Sequence, residues 1–327
     1  MIHLVYAATP VYGGWVSFTG HLQLCLQSVG QAPGVVKIAR RFEQRQRPFI
    51  GAVGYQNLPI EATVPKTVIV ALDKAHLDNV RPIISRSWVV MHDPTEVTTE
   101  SRGLFQSAKG LVVIREKNLA LALELNPNTK FIPHPFEAPI VRPTAVPRLL
   151  RGVSVSRLDW DKHIDIIAQA NAALPAEQRI HIYGAENRLY THHKLLATDA
   201  NWRDNYRGAF PRSDLLGGYA LARQADFVVD LSAIKGDGGG TQYTFLEAIA
   251  AGATLVLNEK WFSGCDASAL RPGVNCITVA NAEQLAAVMA QPDDEGRALA
   301  ATAAQAILPS HGYTAIGNEW AKLMEEN

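Results

Sequence analysis

The chain has 327 residues, 47% of them hydrophobic and 19% charged, which is enough apolar content for two cores of ordinary size. No apolar run reaches the roughly 20 residues of a membrane-spanning helix, and the three widely spaced cysteines (Cys25, Cys265, Cys276) form neither a metal-ligand pattern nor a disulfide framework. The net charge of zero hides two unlike halves: residues 1–148 hold 16 Lys and Arg against 10 Asp and Glu, a balance of +6, and residues 149–327 hold 15 against 21, a balance of −6.

In chain order, IHLVYAA (2–8) predicts a buried strand. It lacks the basic n-region of a signal peptide, and with the cysteine usage this leads us to expect a cytoplasmic protein, in the host cytoplasm if the protein is viral. VYGGWVS then predicts a glycine loop, 18–29 a helix, and VVKIA a second strand. Gly13 and Gly14 do not make a G-x-G-x-x-G fingerprint, so they argue for no dinucleotide site, yet a GG turn still brings backbone N–H groups toward a phosphate or a sugar. The basic segment KIARRFEQRQR carries Lys37, Arg40, Arg41, Arg45 and Arg47 with one acid, and Phe42, Phe49 and Tyr55 lie in or near it. It reads either as a phosphate-contacting, base-stacking face for a nucleic acid or as a solvated loop. A basic first half in a neutral chain likewise reads as a mark of a polyanionic partner or as scatter between domains.

TVIVAL (67–72), SWVVMHD (87–93), LVVI (111–114) and KFIP (130–133) predict further strands alternating with helices, the pattern of a parallel sheet. His92-Asp93 ends one of these strands, where a side chain can touch a sugar hydroxyl or an acceptor proton. The proline-rich stretch from Pro133 to Pro147 disfavours helix and reads as a linker, placing a domain boundary near residue 148. A second alternation follows: GVSVS (152–156), helix 161–173, RIHIYG (179–184), DNYRGAF (204–210), helix 213–223, DFVVDLS (226–232), helix 241–251, TLVLN (254–258) and CITVA (276–280). An amphipathic helix over 313–325 ends the pattern, and the segment 311–327 is expected to pack back on the first domain. The fold class expected is α/β, with two Rossmann-like parallel-sheet domains (1–148 on the acceptor side, 149–310 on the donor side) facing a central cleft at the carboxyl ends of both sheets.

Chemistry concentrates in the second half. Arg157 and Lys162 follow a strand end, where arginine suits bidentate phosphate binding and lysine acts as a point charge. Gly236, Gly238, Gly239 and Gly240 precede Thr241, a loop whose backbone N–H groups can approach an anion, with Thr241 as the expected cap of the helix it enters. Glu247 lies in an otherwise apolar helix and needs a partner, either a ribose or a salt bridge. Two fixed cations, a helix N-terminus and this carboxylate suit a diphosphate leaving group and point to a transferase using a nucleotide-sugar. His192-His193 lack a third ligand, so no metal is assigned.

These features resemble the donor domain of GT-B glycosyltransferases of the retaining, family-4-like group. The matches are the Arg157/Lys162 pair, IYG at 182–184, YRGAF at 206–210 and the ARQADFVV…GGGTQYTFLEAIAAG run; over 1–148 the likeness is weaker. The resemblance implies that Arg157 and Lys162 bind the donor diphosphate, that Glu247 binds the ribose, and that Gly13-Gly14 and His92 lie near the transferred sugar. Tyr183, Gly184, Arg207, Gly208, Asp237, Gly238, Gly239, Gly240, Thr241, Tyr243 and Thr244 complete the expected donor-binding set, with His92, Asp93, Arg157 and Lys162 as the expected catalytic residues. One departure stands out. The family signature has two glutamates eight positions apart; Glu247 matches the second, but Gly239 occupies the first, which leaves Asp237 as a candidate replacement.

Within that group, the Tyr243-Thr244-x-Leu246-Glu247 pattern, the Arg-x4-Lys spacing and the His-Asp strand end are shared with the phage DNA α-glucosyltransferase type, which also lacks the paired glutamates. That type transfers glucose from UDP-glucose to a hydroxymethylated cytosine in duplex DNA. The implied donor is UDP-glucose with no metal required, and the implied partner is duplex DNA carrying a hydroxymethylated pyrimidine, without membrane insertion. A glycan or lipid-linked acceptor, and a nucleotide-sugar or nucleic-acid binder without catalysis, stay open beside it.

Overall fold

The computed structural model describes residues 1–8, 13–38, 55–56, 66–138, 147–209, 215, 217–265, 268–291 and 294–325. The first half runs β1 (Ile2–Ala7), α1 (Gly14–Ser28), β2 (Pro33–Lys37), β3 (Tyr55–Gln56), β4 (Thr67–Leu72), α2 (Leu77–Val80), β5 (Ser87–Met91), α3 (Thr99–Ser107), β6 (Gly110–Val113), α4 (Leu119–Leu125) and β7 (Thr129–Phe131). These strands form one parallel sheet in the order β3-β2-β1-β4-β5-β6-β7. Runs such as TVIVAL and SWVVM are buried at every position, as strands covered on both faces must be. One face of the sheet packs against α1 and the other against α2–α4.

The second half runs β8 (Leu150–Val155), α5 (Ile164–Ala173), β9 (Ile180–Tyr183), α6 (Arg188–Tyr190), α7 (Leu196–Thr198), α8 (Gly217–Ala222), β10 (Ala225–Asp230), α9 (Tyr243–Ala250), β11 (Thr254–Asn258), β12 (Ile277–Val279), α10 (Ala282–Ala290), α11 (Asp294–Gln305) and α12 (Tyr313–Glu325). Its sheet is also parallel, in the order β12-β11-β10-β8-β9. In each sheet the strand order reverses once, between β1 and β4 and between β8 and β10. Loops leave in opposite directions at such a reversal and open a crevice at the carboxyl ends of the strands. The loops carrying Gly13-Gly14 and Arg157 therefore start at the two crevices.

The two-sheet α/β class is as the sequence predicts, with local corrections. Of the strand expected over 204–210, the described residues 204–209 make none: Trp202–Asn205 form a 3-10 turn around the buried Trp202, and among them only Tyr206 bridges to the sheet, at Ile182. The helix expected over 161–173 is split. Trp160–Lys162 form a 3-10 turn, His163 takes a left-handed conformation (φ 49°, ψ 40°), and α5 starts at Ile164. His163 is the sole non-glycine with positive φ among the described residues. That residue releases Lys162 from the helix axis. Thr241 does not cap α9, because the helix begins two residues later and Gln242 occupies the cap position without a side-chain bond. His192 and His193 lie in a π-helical turn, Thr191–Leu195.

The C-terminal helix α12 returns to the first half and lies on α1. Its apolar stripe, Ile316, Trp320, Leu323 and Met324, joins the core shared with Phe18, Leu22, Cys25 and Leu26. Contact is closest at Gly317, where an added Cβ would stand 2.6 Å from the Cys25 carbonyl oxygen and 2.9 Å from Val29. The backbone carbonyl cannot yield as a flexible side chain would. Gly317→Val is expected to destabilise the protein by about 1–3 kcal/mol, seen as a lower urea midpoint; an unchanged midpoint would show that α12 is free to move away from α1.

Candidate active site

The carboxyl ends of the two sheets enclose a cleft of about 370 Å³. From the first half it is lined by Gly13, Gly14 and Trp15 after β1, His92 and Asp93 after β5, Ile114 and Arg115 after β6, and His134 after β7. From the second half come Val155, Ser156, Arg157, Asp161 and Lys162 around β8, Asp230 at the end of β10, Ile234, and Gln242, Tyr243 and Thr244 at the start of α9. The fold thus brings eight of the predicted residues to one cavity: Gly13, Gly14, His92, Asp93, Arg157, Lys162, Tyr243 and Thr244. Gly13 adopts φ 93° and ψ −168°, a conformation open to glycine and to little else, which turns the chain sharply into α1 at the cleft wall.

The two cations differ in setting. Arg157 is half exposed and spans Asp159 (3.2 Å) and Asp161 (3.4 Å). Lys162 is largely enclosed, donating to Ser232 Oγ at 2.7 Å and lying 3.9 Å from Asp161. Ser232 in turn donates to Asp230, whose second oxygen accepts from Thr244 Oγ1 at 2.9 Å. Lys162, Ser232, Asp230 and Thr244 therefore form one chain of hydrogen bonds from β8 to α9, which fixes the ammonium where an anion entering the cleft meets it.

On the opposite wall, His92 donates from Nε2 to the Val70 carbonyl at 2.8 Å, so its Nδ1 is the acceptor nitrogen. Burial pulls its pKa down to about 4, helped by the Arg115 charge, so the ring is neutral near pH 7. Phe18 meets the ring edge-on at 5.0 Å. Asp93 accepts from the Thr95 N–H at 2.8 Å. Beside it Glu96 accepts from the Trp15 indole (3.1 Å) and the His92 N–H (3.0 Å), and burial together with the Asp93 charge holds its carboxyl well above the usual range.

The glycine-rich loop does something other than expected. Asp237 does not face a sugar: its carboxylate is buried, pairs with Arg115 at 2.8 Å and accepts from Asn118 at 3.1 Å, joining the two halves of the chain. Arg115 also donates to the His92 carbonyl and lies 5.4 Å over the Trp261 ring. Gly239 N–H is spent on the Trp261 carbonyl at 2.7 Å, and added Cβ atoms at Gly238, Gly239 and Gly240 would collide with Trp261, Cys265 and Arg115 respectively. The glycines let the loop pack against these neighbours, and neither they nor Thr241 are among the residues lining the cleft. Glu247 lies one turn into α9 with its carboxylate against the backbone of Gly218 at the start of α8, and is not among the residues lining the cleft.

Tyr183, Gly184, Arg207 and Gly208 gather beside the cleft, at the end of β9. Gly184 N–H donates to Gly208 O at 3.0 Å and Arg207 N–H to Ile182 O at 2.8 Å. Gly184 lies so close to the Ser156 carbonyl that a Cβ would stand 1.6 Å from it, which ties this corner to the end of β8. Of the basic segment, Arg40, Arg41, Arg45 and Arg47 lie outside the described residues. Lys37 ends β2 with only 5% of its surface exposed, which corrects its expected place in a surface contact with phosphate. Among the described residues, no cluster of three or more His, Cys, Asp or Glu could hold a metal ion, and no helix is long and apolar enough to cross a membrane.

Sequence reasoning missed Arg115, Glu96, His134 and the Asp230–Ser232 pair. Arg115 and Asp230 follow or end strongly apolar strands (LVVI, DFVVD), the same strand-end signal that picked out His92 and Arg157. Glu96 and His134 carry no such local mark.

Residues 162–322 match the family model described as glycosyl transferase-like. No curated protein matches the chain. Among solved structures, the chain is similar to Alr3699/HepE of Anabaena in complex with UDP and glucose (15% identity, TM-score 0.71, all of both chains covered). It is similar over the same full extent to an alpha-glucosyltransferase in complex with UDP (14% identity, TM-score 0.70), and over 99% of this chain and 98% of the other to a glycosyltransferase from Rickettsia africae (11% identity, TM-score 0.66). The fold is the GT-B fold, and with the family match the chain is a glycosyltransferase.

The buried histidines of the cleft make stability depend on pH with a definite sign. An unfolded chain protonates His92 near pH 6.5, whereas the folded protein resists until about pH 4. Stability is full above 6.5 and falls as pH falls through that window, by about 3 kcal/mol from this one group. His134 and His311, also shifted downward, add in the same direction; Glu96, shifted upward, loses stability as pH rises and so runs against them. Urea denaturation at pH 7 and pH 5 is expected to show a smaller difference for His92→Gln than for the unaltered protein. An equal difference would mean that His92 carries a proton in the folded state.

Proposed function

We propose that the chain transfers glucose from UDP-glucose to the hydroxymethyl group of a modified pyrimidine in duplex DNA, with retention at the anomeric carbon. The observation that carries this reading is the convergence, in one cleft, of Arg157 and the hydrogen-bonded Lys162 with the start of α9 and, across from them, the Gly13-Gly14 turn and His92. One wall offers positive charge for a diphosphate, and the other offers neutral hydrogen-bonding groups for a sugar. UDP complexes of the similar structures support the nucleotide, and the UDP-glucose complex of HepE supports the sugar.

In this reading the acceptor hydroxyl attacks the anomeric carbon on the face from which the diphosphate departs. The bond from that carbon to the β-phosphate oxygen breaks as the new glycosidic bond forms, and the hydroxyl proton passes to the leaving oxygen. Lys162 and Arg157 stabilise the charge that develops on the diphosphate. His92, neutral and held by Val70, orients a sugar hydroxyl through Nδ1, and Asp93 faces the acceptor side. Glu247 and the corner at Tyr183, Gly184, Arg207 and Gly208 bind the nucleoside end of the donor.

The DNA acceptor rests on the Tyr243-Thr244-x-x-Glu247 pattern and on the basic first half, with Arg40, Arg41, Arg45 and Arg47 as phosphate contacts. The burial of Lys37 removes one of the five cations from that face, and this favours keeping a glycan or lipid-linked acceptor as the second reading. Incubation with UDP-sugars and hydroxymethylcytosine, hydroxymethyluracil or unmodified DNA, followed by nucleoside mass spectrometry, separates the two. A mass gain of one hexose on a modified base is the expected result; none with any DNA, while the donor is still consumed with a glycan acceptor, overturns the DNA reading. Lys162→Ala is expected to lower the transfer rate about 100-fold or more, read as kcat; an unchanged kcat removes Lys162 from the diphosphate role.

A further inference from the structure

Among the described residues, four that line the cleft carry a buried side-chain atom without a hydrogen-bond partner, Arg115 Nε, His134 Nδ1, Gln242 Nε2 and the Tyr243 hydroxyl, and two of these, His134 Nδ1 and the Tyr243 hydroxyl, belong to rings in direct contact at its floor. Their side chains line the same cavity and are 4% and 5% exposed. They come from opposite halves of the chain, His134 from just past β7 and Tyr243 from the first turn of α9, and their rings meet edge to face at 5.0 Å. Neither ring is free to turn away. His21 stacks flat on Tyr243 at 4.6 Å and is itself bonded to Tyr313 at 2.7 Å, while Phe18 closes on His134. Buried polar groups without partners are rare, because each forgoes the hydrogen bonds that water gave it. Two of them fixed side by side at the wall of a ligand cleft, one from each domain, are a site prepared for a polar group that the free protein lacks.

We propose that His134 and Tyr243 form a subsite that reads one hydroxyl of the transferred sugar and so helps to set donor specificity. A hydroxyl is both donor and acceptor and so satisfies a neutral imidazole nitrogen and a phenol together in either tautomer, whereas these two uncharged groups offer no counter-charge to a phosphate or an ammonium. The floor is uncharged around neutral pH: burial and the Arg115 charge keep the imidazole well below its usual range, and burial keeps the phenol well above its own. A site built to bond a hydroxyl discriminates strongly against an analogue that lacks it, because its polar groups are then left buried and unmet. The inference rests on the nucleotide-sugar reading of the cleft.

The test uses Tyr243→Phe, which deletes only the unpartnered oxygen. The variant is expected to melt at or above the temperature of the unaltered protein, since no bond is lost, while its affinity for UDP-glucose falls about tenfold and its affinity for UDP stays within about twofold. In the unaltered protein, one member of a UDP-deoxyglucose series is expected to bind about tenfold more weakly than UDP-glucose, and that penalty disappears in Tyr243→Phe. Equal weakening of UDP and UDP-glucose, or an unchanged penalty across the deoxy series, overturns the subsite while leaving the donor reading intact. Failure of the unaltered protein to bind UDP at all overturns both.

Discussion

The buried ion pair between Arg115 and Asp237 is the interaction on which the cleft depends. It joins the end of β6 in the first sheet to the loop before α9 in the second, and its side chains are 8% and 0% exposed. Neither charge can be left alone at such depth; removing one partner of a buried pair typically costs about 3–5 kcal/mol because the other stays desolvated. The pair is further held by Asn118 on Asp237, Lys117 on the Asp237 and Ser263 carbonyls, and Trp261 beneath the guanidinium. The same guanidinium donates to the His92 carbonyl, so the contact that sets the two domains also sets the position of a cleft histidine. Interdomain geometry and site geometry are one constraint here.

That constraint explains why the glycine loop is built as it is. Gly238, Gly239 and Gly240 allow the chain to press against Trp261, Cys265 and Arg115 while carrying Asp237 to its partner. Read locally, a run of glycines before a helix suggests an anion cradle. The decisive neighbour, Arg115, is more than 100 residues away in sequence, and no local signal names it. The same limit hid the His134–Tyr243 contact and the split of the helix at His163. Strands such as TVIVAL, SWVVM and TLVLN were legible because burial on both faces writes itself as an unbroken apolar run. Arg157, Lys162, His92 and Asp93 were legible because polar residues placed at the ends of such runs come together at the carboxyl edge of a parallel sheet. The segment 204–210 was misread because Tyr206 and Phe210 give it a strand-like composition, whereas Tyr206 packs its ring on Trp202 beside a 3-10 turn.

The cleft is electrically divided. On the second-domain side Lys162, bonded to Ser232, and Arg157, held by Asp159 and Asp161, face it, and a competing phosphate can replace or share these partners. On the first-domain side the imidazoles of His92 and His134 are kept neutral by burial and by the charge of Arg115. The Lys162 and Arg157 cations on one wall, opposite the neutral imidazoles on the other, match a ligand whose anionic end is a diphosphate and whose other end is a sugar. The C-terminal helix takes part in this division: α12 supplies Tyr313, which holds His21 against Tyr243, and the turn before it supplies His311, which bonds the His134 carbonyl at 2.7 Å. Chain ends and chain middle thus meet under a single floor.

The proposed donor site places the diphosphate against Lys162 and Arg157. It is tested most directly by a crystal structure of the protein soaked with UDP, in which the phosphorus atoms are located. Both phosphates are expected between β8 and α9, with oxygens in hydrogen-bond contact with Lys162 Nζ and the Arg157 guanidinium, and with Arg157 drawn away from Asp159. UDP bound elsewhere, with Lys162 still bonded only to Ser232 and Arg157 still on its aspartates, would contradict it.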